Sequence, residues 1–168
     1  WMGDREQGAN TLTIATGHAI DAFCFCVGEI KELSGRVSTQ VPVWETSEPG
    51  KTVNVTAPDD VIVSGLLAGG AVASIHVATV PWHGTGWRLE VYGRNGTLVA
   101  SSRDMVQYGT IQLQGGQSKD RGLKELPVPG RLVYVPGEVP EGAPFNVAQL
   151  YRRLGYAIRR GKPADPDF

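Results

Sequence analysis

The chain has 168 residues, 16 of them basic and 17 acidic, for a net charge of −1, with 41% hydrophobic and 20% charged residues. That balance describes a folded protein with one sizeable core, and it excludes intrinsic disorder and the basic surface that nucleic acid requires. No apolar run reaches the roughly 18 residues of a membrane span and no leader-like segment opens the chain, so the expected location is the cytoplasm, with no membrane partner.

The first expected element is one buried helix over Gly8–Gly28. Within it His18 and Asp21 are three apart and therefore share a face. From Ala19 to Val27 every residue except Asp21 is apolar, so the two polar side chains must be desolvated, paired or aimed at a cleft. Two readings stand together: a site, or a histidine that only satisfies hydrogen bonds in a core. Cys24 and Cys26 point to different sides of such a helix and read as small buried hydrophobes, neither a disulfide nor a metal pair.

Strands follow at Glu32–Val41, Thr52–Thr56, Val61–Leu67 and Ala71–Val80, with a loop over Pro42–Lys51 and turn chemistry at Pro58-Asp59-Asp60. His76 lies in the last of these strands and is expected to be a satisfied core or interface histidine. Trp82 and His83 fall in a glycine-flanked loop. Such a pair can line a sugar cleft by stacking and hydrogen bonding, and the plainer alternative is a hairpin loop with an anchored tryptophan.

Trp87–Tyr92 alternates cleanly, Asn95-Gly96 carries the left-handed residues of a tight hairpin turn, and Thr97–Ala100 returns. Thr110–Gln114 is another half-buried strand. Gly115–Pro144 reads as a long surface excursion with an extended piece at Arg131–Val135. Asn146 is placed as the N-cap of a helix ending near Arg160, closed by Gly161 and Pro163. Arg159, Arg160 and Lys162 complement the negative end of its dipole. Strands with alternating faces and helices at both ends predict an α+β fold with a largely antiparallel open sheet and helices packed on one face. The other face, with Arg88, Glu90, Tyr92, Thr110, Gln112 and Gln114, is available for an interface. Residues 1–168 are read as a single domain. Its opening on Trp1 and its closing phrase, Pro163–Phe168, read as cut ends.

The order Thr11-Leu12, Gly17-His18, Ile20-Asp21 and Val27-Gly28-Glu29 resembles the start of the C-terminal domain of the glucose–fructose oxidoreductase / inositol dehydrogenase / rhizopine-catabolism family. Gly69–Val77, the pair Trp87–Gly93 and Gly96–Leu98, and the closing stretch Phe145–Pro163 are similar to its later strands, hairpin and helix. The resemblance implies a domain that lines a sugar or polyol cleft and mediates a homodimer. It also implies that NAD or NADP is bound by a nucleotide domain absent from this chain. It gives His18 the place of the family's catalytic histidine and makes Asp21, Trp82 and His83 candidate substrate-binding residues. The family aspartate sits four residues before the histidine, where this chain has Ile14, a side chain that can neither accept a proton nor polarise an imidazole.

The residues themselves hold no dinucleotide fingerprint: Gly84-Thr85-Gly86 lacks the third glycine and leads into a strand. Nor is there a metal-ligand spacing. Three functions remain: the substrate domain of an NAD(P)-dependent oxidoreductase, a non-catalytic sensor relative favoured by Ile14, like the family branch that includes a yeast galactose-regulon repressor, or a free-standing oligomerisation module.

Overall fold

A computed structural model of the chain describes residues 1–79 and 82–163. The strand expectation at Val80 and the closing phrase from residue 164 onward lie outside the described residues. The chain divides into two compact units, Trp1–Gly84 and Thr85–Phe168.

In the first unit a π-helical turn, Thr11–Ala15, leads into α1, Thr16–Val27. Strands β1 (Ile30–Ser38), β4 (Asp60–Leu67) and β5 (Val72–Ala78) form an antiparallel sheet in the order β1-β4-β5. A separate ribbon joins β2 (Val43–Glu45) and β3 (Thr52–Asn54). The sequence reads the first half of that ribbon as loop, because three exposed residues have no face to bury and hence no period to detect.

β4 shows why the sheet forms. Val61, Val63 and Leu67 are buried on one side, and Ile62 and Ser64 are exposed on the other. Register places Arg36, Ile62 and His76 in one outer row and Ser34, Ser64 and Ser74 in the next. Near the irregularity between Ile30 and Glu32, a Cβ on Gly65 would come within 2.1 Å of the Glu32 carbonyl oxygen. Only glycine lets the two backbones approach this closely.

The π-turn and α1 lie against β4 and β5. Leu33 and Val37 of β1, on the same side, remain 60% and 46% exposed. The helix itself differs from expectation. Within it only Thr16 is buried, and Phe25 is 68% exposed. A helix that is apolar on every side needs cover on every side, and the described residues cover one.

In the second unit β6 (Trp87–Gly93), β7 (Gly96–Ser102), β8 (Gln112–Gln117) and β9 (Lys124–Glu125) make an antiparallel meander in sequence order. The hairpin turn is Arg94-Asn95, and among the described residues no non-glycine residue has positive φ. Gly96, expected as a left-handed turn residue, instead opens β7 opposite Gly93, where a Cβ would meet the Gly116 carbonyl oxygen at 2.5 Å. Close strand approach requires it, not turn handedness. A 3-10 turn at Gly130–Leu132 replaces part of the extended piece, and β9 interrupts the excursion.

Helix α2 spans Ala143–Arg160, with Gly142 at its N-cap and proline in its first turn. Asn146 therefore lies inside the helix, and its Nδ2 donates to the Gln107 carbonyl at 3.1 Å. Gly161 closes the helix in the left-handed conformation, as the sequence indicates. Helices and antiparallel open sheets together make an α+β fold, built among the described residues from three separate sheets where the sequence suggests one.

Candidate functional site

The helix carrying His18 is fixed at its start with unusual completeness. Asn10, 4% exposed, accepts from the backbone N–H groups of Leu12 and Thr13 through Oδ1, at 3.0 and 3.3 Å. Thr13 Oγ1 accepts in return from Asn10 N at 3.1 Å, completing a capping box. Five residues before the first residue of α1, the Thr11 carbonyl takes two donors from Thr16: its backbone N–H and its hydroxyl, the latter at 2.9 Å. That i to i+5 closure is the π-turn. It leaves Thr16 buried and directs the next turn outward.

The same start is stitched to the sheet. Thr11 Oγ1 and Thr79 Oγ1 are 2.8 Å apart, joining segments 68 positions apart in sequence. Thr79 N donates to the Asp59 carbonyl at 2.9 Å. Asp59 is itself 2% exposed, and its carboxylate accepts from Gln40 N at 2.7 Å and Val41 N at 2.9 Å. The buried carboxylate thus holds the segment after β1, while the backbone carbonyl of the same residue holds Thr79, whose hydroxyl meets Thr11 at the entry to α1. The sequence reads Asp59 only as turn chemistry, since a side chain that serves distant amides leaves no local pattern.

On this base, Ile14, His18, Asp21 and Phe25 follow at spacings of four, three and four, and all are exposed. Neither the His18 imidazole nor the Asp21 carboxylate has a hydrogen-bond partner among the described residues. A core histidine would be buried and bonded, so that alternative does not describe His18 here. Ile14, 38% exposed, occupies the place one turn upstream. Trp82 is 95% exposed and His83 is exposed beside it, three and four residues beyond Thr79. The Thr11–Thr79 contact thus brings together the strand end before that loop and the helix entry before His18.

His76, by contrast, is on the outer sheet face, with Nε2 3.0 Å from Asp60 Oδ1. Cys24 and Cys26 are free. Among the described residues no cluster of histidine, cysteine and carboxylate side chains is arranged to hold a metal, and no helix is long and apolar enough to cross a membrane. Gly86, part of the near-match to a phosphate loop, has φ +84°, and a Cβ there would meet the Ser102 carbonyl oxygen at 2.1 Å. The glycine serves a close approach between chain segments.

The face of the β6–β8 sheet expected to form an interface is arranged in rows: Arg88, Ser101 and Gln112, then Glu90, Val99 and Gln114. Glu90 accepts from Arg88 Nε and from the Tyr92 hydroxyl, each at 2.5 Å. The Tyr92 hydrogen bond, followed by Arg88, holds the Glu90 carboxyl below its ordinary value, and Glu90 pushes the Tyr92 phenol up. Arg88 therefore has its acidic partner on its own strand. Thr110, expected on this face, precedes β8, and its hydroxyl donates to Glu141 at 3.1 Å.

The fold is an α+β domain in which a capped helix lies against an antiparallel sheet. More particularly, the chain belongs to the Gal80p C-terminal domain family, whose model matches residues 1–102. An uncharacterized oxidoreductase of Synechocystis sp. is 29% identical over 135 residues, 79% of this chain and 36% of that protein. The chain thus spans about a third of that relative's length. Levoglucosan dehydrogenase in its apo form shares the fold with TM-score 0.74 and 21% identity, over 95% of this chain and 45% of that one. That enzyme is also solved with NADH and levoglucosan. A super-repressor mutant of Gal80p from Saccharomyces cerevisiae aligns with TM-score 0.71 and 16% identity, over 92% of this chain and 40% of that chain.

Proposed function

We propose that this chain is the substrate-binding and oligomerisation domain of an NAD(P)-dependent oxidoreductase acting on a sugar or polyol. The observation that carries the proposal is His18: exposed, without a partner, and held on a helix whose first turn is capped and stitched to the sheet. A neutral imidazole so presented can accept the proton of a substrate hydroxyl, or return it, while Asp21 one turn on supplies a second polar contact. Trp82 offers a bare aromatic plane for a sugar face and His83 a hydrogen bond. The nicotinamide cofactor is assigned to a nucleotide domain of the complete protein, not to this chain. That a related dehydrogenase is solved with NADH and levoglucosan supports this substrate class.

Ile14 favours a second function, a sensor that binds ligand without turning it over, and the fold shared with Gal80p supports it. Activity measurements separate the two. With the complete protein, NAD(P)-linked oxidation is assayed across a panel of sugars and polyols. In an enzyme, His18→Ala lowers turnover by about a hundredfold or more, and an unchanged rate refutes the catalytic role. No turnover on any member of the panel, with ligand binding retained, selects the sensor.

The face of the β6–β8 sheet that carries Arg88, Glu90 and Tyr92 is proposed as the homodimer surface, with Tyr92, 75% exposed, as its anchor. A dimer mass by light scattering that Tyr92→Glu converts to monomer supports it. A monomer at tens of micromolar, or a dimer unmoved by Tyr92→Glu, overturns it.

A further inference from the structure

Gly17 stands between Thr16 and His18 in the first turn of α1, exposed and without positive φ. A Cβ built on it would meet nothing within 4 Å. Among the described glycines of the α-helices and strands it alone has that freedom; Gly65 and Gly96 face backbone oxygens at 2.1 and 2.5 Å. Neither handedness nor packing inside this chain calls for glycine at position 17. Alanine there would strengthen the helix, because glycine loses more backbone freedom on folding than any other residue. The weaker helix former thus leaves room for something the chain itself does not supply.

The surroundings of the gap bear on what that is. At 3.6 residues per turn, Gly17, Asp21, Ile14 and His18 follow in that order around about 100° of the helix circumference. Gly17 and His18 border a strip whose middle holds Ile14 on one turn and Asp21 on the next. Helical side chains lean toward the N-terminus, which brings the Asp21 carboxylate back over the turn of Gly17 and His18. All four residues are exposed, and the imidazole and the carboxylate have no partner among the described residues. An apolar group, two unpaired polar groups and a bare patch of backbone therefore adjoin one another. A sugar ring has the matching chemistry, with C–H groups on a face that packs flat and hydroxyls around its rim.

We infer that Gly17 is a specificity-determining residue. Its missing side chain lets a sugar ring settle against the α1 backbone, at the depth where His18 and Asp21 both reach ring hydroxyls. The inference rests on the reading of His18 as a ligand-contacting residue, and it adds the element that sets how closely the ligand approaches. A methyl group at position 17 holds the ring off by roughly 1 Å, which takes a hydrogen bond of about 2.9 Å beyond its useful length. An open-chain polyol bends around that methyl group, and a rigid ring does not.

The test sets ligand binding against stability in the complete protein. Calorimetric titration, with NADH or NADPH present, uses glucose and levoglucosan as rings and sorbitol and glycerol as open chains. Gly17→Ala should raise the Kd of the ring ligands about tenfold, the factor one extra methyl group carries in a close-fitting site. Gly17→Leu should abolish ring binding. Thermal unfolding without ligand should shift upward by about 1–4 °C for Gly17→Ala. A glycine that served only the fold would lower stability and binding together, so weaker binding by a more stable protein is the expected signature. Ring Kd values within about twofold of the parent for both variants overturn the inference and leave the role of His18 standing. A lower unfolding temperature for Gly17→Ala also overturns it, because the glycine then packs against another part of the complete protein. So does a parent that binds open chains and no ring. A parent that binds no member of the set refutes the reading of the site, and this inference with it.

Discussion

Replacing Asp59 by alanine removes the acceptor for two amides, Gln40 N and Val41 N, at 2.7 and 2.9 Å. Each hydrogen bond to a charged group contributes about 1.5–3 kcal/mol. Both amides are only partly buried and recover water when the carboxylate is gone, so the expected cost is about 2–4 kcal/mol, not the sum. Asp59→Asn keeps the shape and one acceptor oxygen but turns an amide NH2 toward the second N–H, and should cost about half as much. Urea unfolding of the chain followed by tryptophan fluorescence measures both. With a slope of about 2 kcal/mol per molar, the alanine midpoint falls by about 1–2 M. Hydrogen exchange at Gln40 and Val41 should accelerate in the same variant. Stabilities within about 0.5 kcal/mol of the parent for both substitutions would refute the assignment of the Asp59 carboxylate as the tie that holds the segment after β1.

Gly65→Ala forces a methyl group to 2.1 Å from the Glu32 carbonyl oxygen, so β1 and β4 must separate; a loss of about 1–3 kcal/mol is expected in the same unfolding assay, and a neutral result means that the strands adjust freely there. The Glu90 carboxyl, held low by Tyr92 and Arg88, should titrate by NMR at lower pH than an ordinary glutamate. Its depressed value means that the interaction is present above the unfolded-state pKa and is lost as pH falls through the folded one. Tyr92→Phe should move the Glu90 midpoint upward, and an unmoved midpoint shows that the Tyr92 hydrogen bond is not formed in solution.

The sequence by itself determined those elements whose residues bury one side. Val61, Val63 and Leu67 alternate with Ile62 and Ser64 because β4 has a covered face and an open one, and that period survives in the order of residues. Trp87–Tyr92 and the left-handed Gly161 are legible for the same local reasons. Tertiary structure alone decided the rest. The ribbon of β2 and β3 and the two-residue β9 bury too little to leave a pattern. Gly96 looks like turn chemistry until a neighbouring carbonyl, Gly116, shows why no side chain fits. His18 is legible as a candidate, but its exposure depends on how much of an apolar helix the sheet covers, a quantity no helical period encodes. The Asp59 carboxylate with the amides of Gln40 and Val41, and the Thr11 and Thr79 hydroxyls, meet across long stretches of chain. So do the Tyr134 carbonyl and Arg152 of α2. Local pattern records what a residue does to its own segment, and only folding brings these distant groups within hydrogen-bonding reach.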